Sequence, residues 1–380
     1  MTRIVFFTSV HRLGTTSHLT EQALAFMRCR QGEFLFVTGE KEQYSGLLQR
    51  LDRHGATYAV IKGLDEHAEF RRLVREFAAR AERFRPDFVT VHTNWQLAIA
   101  AVAKRVFHFG YEIVYTVHGY RHNYRFRSVI ARYLIGAALF VFADRNITPC
   151  SFLRNRFRLL GQRNVVIFIG GDEALFENHP LPDFAGTKRL VFGGEFRVGK
   201  NQELLIRALG GYLERSVDPD VELYLPGKGD RLQHCRALVR ELGLEEKVFF
   251  PGFLDRTAML DLYLRCQFAL VPSNSETFGH CIVEPFVLGR VVLSRHVGVA
   301  EDIITHGETG FFFEGEKDLA DTLHAVLSDQ ALCERVSAGA RNKRDLFRWD
   351  NVCRQQFDLV YQARRSRTGR GRLKSWVYGE

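Results

Sequence analysis

Short apolar runs recur along the chain, separated by longer stretches in which apolar residues return every three or four positions. The runs Ile4–Phe7, Phe34–Val37, Tyr58–Ile61, Phe88–Val91, Ile113–Val117 and Arg145–Thr148 predict strands. Between them, Ser17–Cys29 and Glu66–Phe84 carry helical spacing. After Thr187 the alternation restarts, with strands expected at Leu190–Phe192, Glu222–Leu225, Val248–Phe250, Ala269–Val271 and Val291–Leu293. Strand–helix–strand repetition implies parallel sheets covered by helices, because parallel strands need long crossover connections. Two such series, joined by a Gly/Asp/Pro-rich stretch at 170–186, predict an α/β chain of two Rossmann-like domains, residues 1–169 and 187–346. Ligands of open parallel sheets bind beyond the carboxyl ends of the strands. The loops to search are therefore 10–16, 92–96, 118–120, 193–200 and 272–279, with a cleft between two facing sheets as the natural site.

Composition narrows the class. With 380 residues, 46% hydrophobic and 26% charged, the chain is long enough for two cores and unlike a disordered or fibrous sequence. The start MTRIVFFTSV lacks the long apolar run and cleavage site of a signal peptide, and the longest near-apolar stretch, 129–142, is interrupted by Arg132. Seven scattered cysteines with no C-x-x-C pair suggest neither a disulfide framework nor a zinc site, so a cytoplasmic setting is expected. The net charge of +9 is uneven: residues 1–185 carry +8, residues 186–345 carry −4 and residues 346–380 carry +5. Such asymmetry fits an anionic partner for one half, whether nucleic acid, phosphorylated lipid or a membrane surface. A merely arginine-rich surface fits it as well.

The richest stretch is Phe268-Ala-Leu-Val-Pro-Ser-Asn-Ser-Glu276-Thr-Phe-Gly279-His280-Cys-Ile-Val-Glu284-Pro-Phe. A buried strand is expected to end at Pro272 and a helix to open near Gly279, where free amides and the helix dipole favour an anion. Gly279 permits close approach of a phosphate or sugar to the backbone. Glu284 lies among Cys281, Ile282, Val283, Phe286 and Val287, an apolar setting in which a carboxylate needs a partner, and ribose hydroxyls would serve. The bland alternative makes Glu276 a helix cap and Glu284 a solvated helix residue. Pro285 suggests a kinked or late-starting helix. Asp218-Pro219-Asp220 is the one literal D-x-D; it precedes a strand and reads as a turn, so no metal is expected.

Glu276 and Glu284 reproduce the E-x7-E motif, and the chain resembles the retaining GT-B glycosyltransferases of family 4. The same ordered pattern includes Gly193-Gly-Glu195-Phe-Arg197-Val-Gly-Lys200, Pro226-Gly227-Lys-Gly229, Pro251-Gly252, Gly307-Glu-Thr-Gly310, Arg85-Pro-Asp87, Thr116-Val-His118-Gly119 and Gly170-Gly-Asp172. The resemblance spans nearly the whole chain. It implies the GT-B fold and catalysis resting on Glu276, His118 and Lys200. Lys200 would neutralise the donor diphosphate, Glu276 would hold the transferred sugar, and Glu284 the ribose. The amides of Phe278, Gly279 and His280 would hold sugar or phosphate, and His118 would face the donor sugar. Gly14, in the loop after the first strand, would lie beneath the phosphates, although Leu13-Gly14-Thr15 replaces the usual glycine pair. Glu195 stands where the family often has Arg, and Arg197 is expected to supply that charge. The base would lie near the loop after Val248.

The resemblance further implies a nucleotide-sugar co-substrate, taken as a UDP-sugar, and retention of anomeric configuration; with no clear carboxylate pair for double displacement, front-face transfer to a glycan acceptor without a metal is the expectation. A C-terminal segment, 347–380, would cross back to the first domain. Basic residues Arg121, Arg125 and Arg127 would lie near the acceptor, with the tail from Arg364 to Lys374 close to Trp376 and Tyr378. The helix 66–84 carries Arg71, Arg72, Arg75, Arg80 and Arg83, fitting either a membrane-lying face or an ordinary surface helix. The expectation is a lipid-linked or phosphorylated acceptor, such as a lipopolysaccharide core or another cell-surface polysaccharide, met at the cytoplasmic face of an inner membrane. A catalytically idle nucleotide-sugar scaffold and a nucleic-acid-binding protein remain the alternatives, the latter without any recognisable motif.

Overall fold

In the computed structural model, described residues are 1–7, 13–29, 32–40, 45–64, 69–117, 142–156, 164–216 and 220–361, with the backbone alone for 13–20 and 46. Contacts divide the chain into two compact units, one of Met1–Tyr115, Ala138–Asn146 and Asp350–Glu380, the other of Thr116–Ala137 and Ile147–Trp349. The stretch 170–186 thus groups with the second unit.

The first sheet has seven strands in the order β3-β2-β1-β4-β5-β6-β7. These are β1 (Thr2–Phe7), β2 (Gly32–Thr38), β3 (Thr57–Val60), β4 (Phe88–Val91), β5 (Glu112–Thr116), β6 (Arg145–Thr148) and β7 (Asn164–Val166). Every pairing from β3 through β5 is parallel. Central strands buried on both faces explain why β1 and β4 read as unbroken apolar runs. Phe7 stacks on Phe77 of the helix Phe70–Phe84, with ring centroids 4.6 Å apart, and Phe6 meets Phe26 of the helix Leu13–Cys29 at 4.8 Å. The helix Asn94–Val106, which had no sequence expectation, opens with a complete capping box between Thr93 and Gln96. The C-terminal helix Trp349–Gln356 continues as a π-turn, Phe357–Tyr361. Phe357 packs on Phe26 at 5.3 Å, and the Tyr361 hydroxyl lies 2.7 Å from Thr90 Oγ1 of β4.

The second sheet has six strands in the order β10-β9-β8-β11-β12-β13, all pairings parallel. These are β8 (Lys188–Val191), β9 (Val221–Tyr224), β10 (Val248–Phe249), β11 (Phe268–Val271), β12 (Val291–Ser294) and β13 (Phe311–Phe312). From β8 the chain winds outward through β9 and β10, then returns to β11 on the other side of β8 and winds the opposite way. The strand order therefore reverses between β8 and β11, the topological switch point of this sheet, and the loops that follow those two strands part there.

The segment leading into β8 is tied down rather than loose. Asp172 caps the 3-10 turn Glu173–Phe176 by accepting from the Ala174 amide at 3.0 Å. The fully buried Arg290 donates to the Pro180 carbonyl at 2.9 Å, and Arg341 donates to the His179 carbonyl at 2.8 Å. Burial and the neighbouring Arg341 push the Arg290 guanidinium down to about 10.

Candidate functional site

The loop after β8 begins with Gly193-Gly194 and ends in a 3-10 turn, Val198–Lys200, before the helix Gln202–Leu213. Neighbouring loops interlock with it through glycines. A Cβ on Gly227 would lie 2.0 Å from the Gly194 carbonyl oxygen, and one on Gly229 would lie 2.3 Å from that of Phe196. Both glycines also have positive φ, 146° and 151°, so no other residue fits without moving backbone. On the other flank, the Asn274 amide donates to the Gly199 carbonyl at 3.0 Å, joining the loop after β11 to the 3-10 turn.

Lys200 and Glu276 meet across the switch point. Lys200 Nζ donates to Glu276 Oε1 at 2.5 Å, with side chains 13% and 10% exposed. Burial works to lower the Lys200 pKa, but the Glu276 carboxylate to which it donates raises it, and the balance is upward, so the ammonium stays charged. Cys281 lies 3.9 Å from the same carboxylate oxygen, and burial, with Glu276 adding to it, holds it as a thiol.

Glu276 does not cap a helix. The helix His280–Val287 is preceded by Gly279 at φ 99°, and no side chain caps it. The bland alternative for Glu276 is thereby overturned: its carboxylate is committed to Lys200. A Cβ on Gly279 would sit 2.7 Å from Ile282, so this turn requires glycine for both dihedral and space. The helix runs through Pro285 rather than starting after it, and the Leu288 amide still reaches the Glu284 carbonyl at 3.3 Å. Phe278 is buried against Phe168 and Phe347, so only its backbone is available to a ligand. His280 is half-buried in the first helical turn.

Glu284 lies one turn further along, half-buried, and its carboxylate makes no hydrogen bond or ion pair among the described residues. Burial raises its carboxyl to about 7; Arg256 opposes the rise and Asp172 adds to it. Arg256, at the start of the helix Arg256–Arg265, is paired with Asp172. Arg197 is paired with Glu195 at 3.4 Å, so the cation expected to replace the family's Arg is partly neutralised by the residue that displaced it.

One support was missed in the sequence. Gly298 has φ 56°, and a Cβ there would lie 2.4 Å from the Phe278 carbonyl oxygen and 2.9 Å from Glu276 Cβ. The Val299 amide also donates to that carbonyl at 2.8 Å, so the loop after β12 props the loop bearing Glu276. The sequence signal was Val297-Gly298, a glycine just past a strand end.

Other expected residues lie elsewhere. Gly14 is the second residue of the helix Leu13–Cys29 and not part of a loop, because that helix starts four residues earlier than its apolar spacing indicates. His118, Arg121, Arg125, Arg127 and the tail beyond Tyr361 fall outside the described residues, as do Asp218 and Pro219. Asp220 accepts from the Thr187 hydroxyl at 2.8 Å at the entry to β9. On the helix Phe70–Phe84, Arg72 and Arg80 bond Glu76 and the carbonyls of Lys62 and Val60, leaving Arg71, Arg75 and Arg83 as its exposed cations. Among the described residues no three His, Cys, Asp or Glu side chains converge as metal ligands, and no helix is long and apolar enough to cross a membrane.

Two family models match the chain, Glycosyltransferase Family 4 over residues 14–173 and Glycosyl transferases group 1 over residues 176–343. Together with the fold, they place the chain among the GT-B glycosyltransferases. It is similar to an uncharacterized glycosyltransferase of Methanocaldococcus jannaschii, 30% identical over 188 residues, 48% of this chain and 47% of that one. A D-inositol 3-phosphate glycosyltransferase of Xylanimonas cellulosilytica is 28% identical over 199 residues, 52% of this chain and 47% of that one. The matched stretch therefore spans about half the length of these relatives. Among solved structures, Anabaena HepE in complex with UDP superposes with a TM-score of 0.74 at 20% identity, covering 95% of this chain and 100% of that one, a likeness of fold.

Proposed function

We propose that this chain is a retaining, metal-independent glycosyltransferase that moves a sugar from a UDP-sugar to a lipid-linked or phosphorylated glycan acceptor. The observation that carries the reading is the buried Lys200–Glu276 pair at the switch point, beside the uncapped helix start at Gly279. A cation and a carboxylate side by side suit a donor whose diphosphate is anionic and whose sugar offers hydroxyls. Lys200 leaves Glu276 to neutralise the diphosphate, which assists its departure, and Glu276 is released to grip the sugar. The amides following Phe278 point at the same anion, and Glu284 accepts from the ribose hydroxyls.

Transfer proceeds on the face from which the diphosphate leaves. The bond from the anomeric carbon to the β-phosphate oxygen breaks, the acceptor oxygen bonds that carbon on the same side, and the acceptor proton passes to the departing diphosphate. The protein contributes positioning and charge neutralisation, which lower the barrier by fixing the reactants in one geometry. His118, Gly14 and Arg197 complete the donor site in this reading. Arg121, Arg125 and Arg127 face the acceptor, and the basic tail holds the enzyme peripherally on the cytoplasmic face of an anionic membrane. Lipopolysaccharide or another surface polysaccharide is the product class; no nucleic acid is involved. The relative named for D-inositol 3-phosphate supports a phosphorylated acceptor, and the HepE complex supports UDP.

The test is release of UDP from a panel of UDP-sugars, with and without membrane extract as acceptor. Release that persists in EDTA and disappears in Glu276→Ala is the expected result. Loss of activity in EDTA with recovery on adding a divalent ion would overturn the metal-independent reading, and full activity in Glu276→Ala would overturn the site.

A further inference from the structure

Three cations around the site are each met by a carboxylate. Lys200 is met by Glu276, Arg197 by Glu195 and Arg256 by Asp172. Arg295, the first residue after β12, has no carboxylate partner among the described residues. Its guanidinium donates to the neutral amide oxygen of Asn274 at 2.5 Å. The residue is well placed by its backbone: the Arg295 amide bonds the last carbonyl of β11, Val271, at 3.1 Å, and the Ser294 hydroxyl donates to the Arg295 carbonyl at 2.8 Å.

Strand order sets where this cation stands. β11 lies between β8 and β12. The loop bearing Glu276 is therefore flanked by the Lys200 loop on one side and by the Arg295 loop on the other. Asn274 links the two flanks, its backbone amide bonded to Gly199 and its side chain to Arg295. Gly298, three residues beyond Arg295, packs against the Cβ of Glu276. A substrate whose phosphates sit at Lys200 and whose transferred sugar sits at Glu276 continues, in this order, towards Arg295. Beside it His296 is exposed and stacks flat on Phe312, with ring centroids 3.9 Å apart, making an aromatic ledge at the same strand end.

We propose that Arg295 is a specificity-determining residue that recognises an anionic group, a carboxylate or a phosphate monoester, on the transferred sugar or on the acceptor next to it. Arginine suits the task, since its planar fork pairs with either oxyanion in two-point fashion. The Asn274 amide holds the fork in place without neutralising it. The inference rests on the donor-site reading above and deepens it: that reading needs Lys200 and Glu276 for the donor but leaves Arg295 unused.

The experiment compares wild type, Arg295→Ala and Arg295→Lys by titration calorimetry, with melting temperature as a check on folding. One arm measures UDP, UDP-glucose and UDP-glucuronate. The other measures glucose and glucose 6-phosphate, as acceptor probes, against enzyme saturated with UDP. Wild type is expected to favour the anionic member of at least one pair by about tenfold or more. Arg295→Ala should abolish that preference and leave UDP affinity within about twofold, with Arg295→Lys between. Preference in the first arm places the anion on the transferred sugar; preference in the second places it on the acceptor. No preference in either arm, a preference that survives Arg295→Ala, or a loss of UDP binding in Arg295→Ala would each overturn the proposal. Failure of wild type to bind UDP at all would instead strike the donor-site reading, so the two failures are distinct.

Discussion

A carboxylate that titrates near neutrality makes donor affinity depend on pH. Glu284 is held at about 7 by burial, so in the free protein it is largely protonated below that pH. Ribose hydroxyls donate to the ionised form and pull its pKa down, so binding below pH 7 must expel a proton. UDP affinity should therefore fall as pH drops from 8 to 6, approaching tenfold per unit at the acid end. The same titration with Glu284→Gln keeps whatever part of the slope belongs to UDP's own phosphate, so the difference between the two slopes belongs to Glu284. A slope identical in both proteins would contradict the assignment of Glu284 to the ribose. The sign for stability is the reverse: with a folded pKa above the unfolded one, Glu284 favours folding most below pH 4–5, and that contribution fades as pH rises through 7. E-x7-E identified both carboxylates in the sequence. It did not reveal that one is salt-bridged and the other has no partner, because that depends on which neighbours the fold brings across from the loop after β8.

At the level of elements, the glycines decide how closely the loops approach. Gly227 and Gly229 were visible as part of a pattern, whereas Gly298 was not, although of the three it is the one where an added Cβ would run into Glu276. Gly298→Ala puts a methyl group into the Phe278 carbonyl at a left-handed dihedral and should cost about 1–3 kcal/mol of stability by denaturant unfolding. Since the same methyl meets Glu276 Cβ, turnover should fall by more than the folded fraction does. An unchanged stability would mean the loop after β12 is not the prop described. Strand positions were largely legible, because buried parallel strands are apolar runs with little else to confuse them. Two-residue β13 and three-residue β7 were too short to stand out, and the helix Asn94–Val106 lacked a charged face to mark its period. The buried Arg290 was illegible for a different reason: an arginine reads as surface, and here the backbone carbonyls of Pro180, before β8, and Cys266, before β11, accept its hydrogen bonds.

For the molecule as a whole, the uneven charge now has definite residues behind it in the second half and only expected ones in the first. Around Lys200 three cations pair with carboxylates, in a half whose net charge is −4 over residues 186–345. The tail's cations lie beyond the described residues, and on the helix Phe70–Phe84 two of the five arginines are spent on intramolecular bonds. In the proposed reading, membrane attachment would therefore fall chiefly to the tail. Truncation after Gln362 should weaken sedimentation with anionic vesicles several-fold at low salt while leaving UDP binding intact; unchanged sedimentation would remove the membrane from the account.

The central claim is that the loops after β8 and β11 hold a nucleoside diphosphate. Calorimetric titration of UDP into wild type, Lys200→Ala and Glu284→Gln tests it most directly. The account predicts saturable binding to wild type, weakened about tenfold or more in Lys200→Ala and to a lesser degree in Glu284→Gln, with all three proteins folded. Equal UDP affinity in wild type and Lys200→Ala would contradict it.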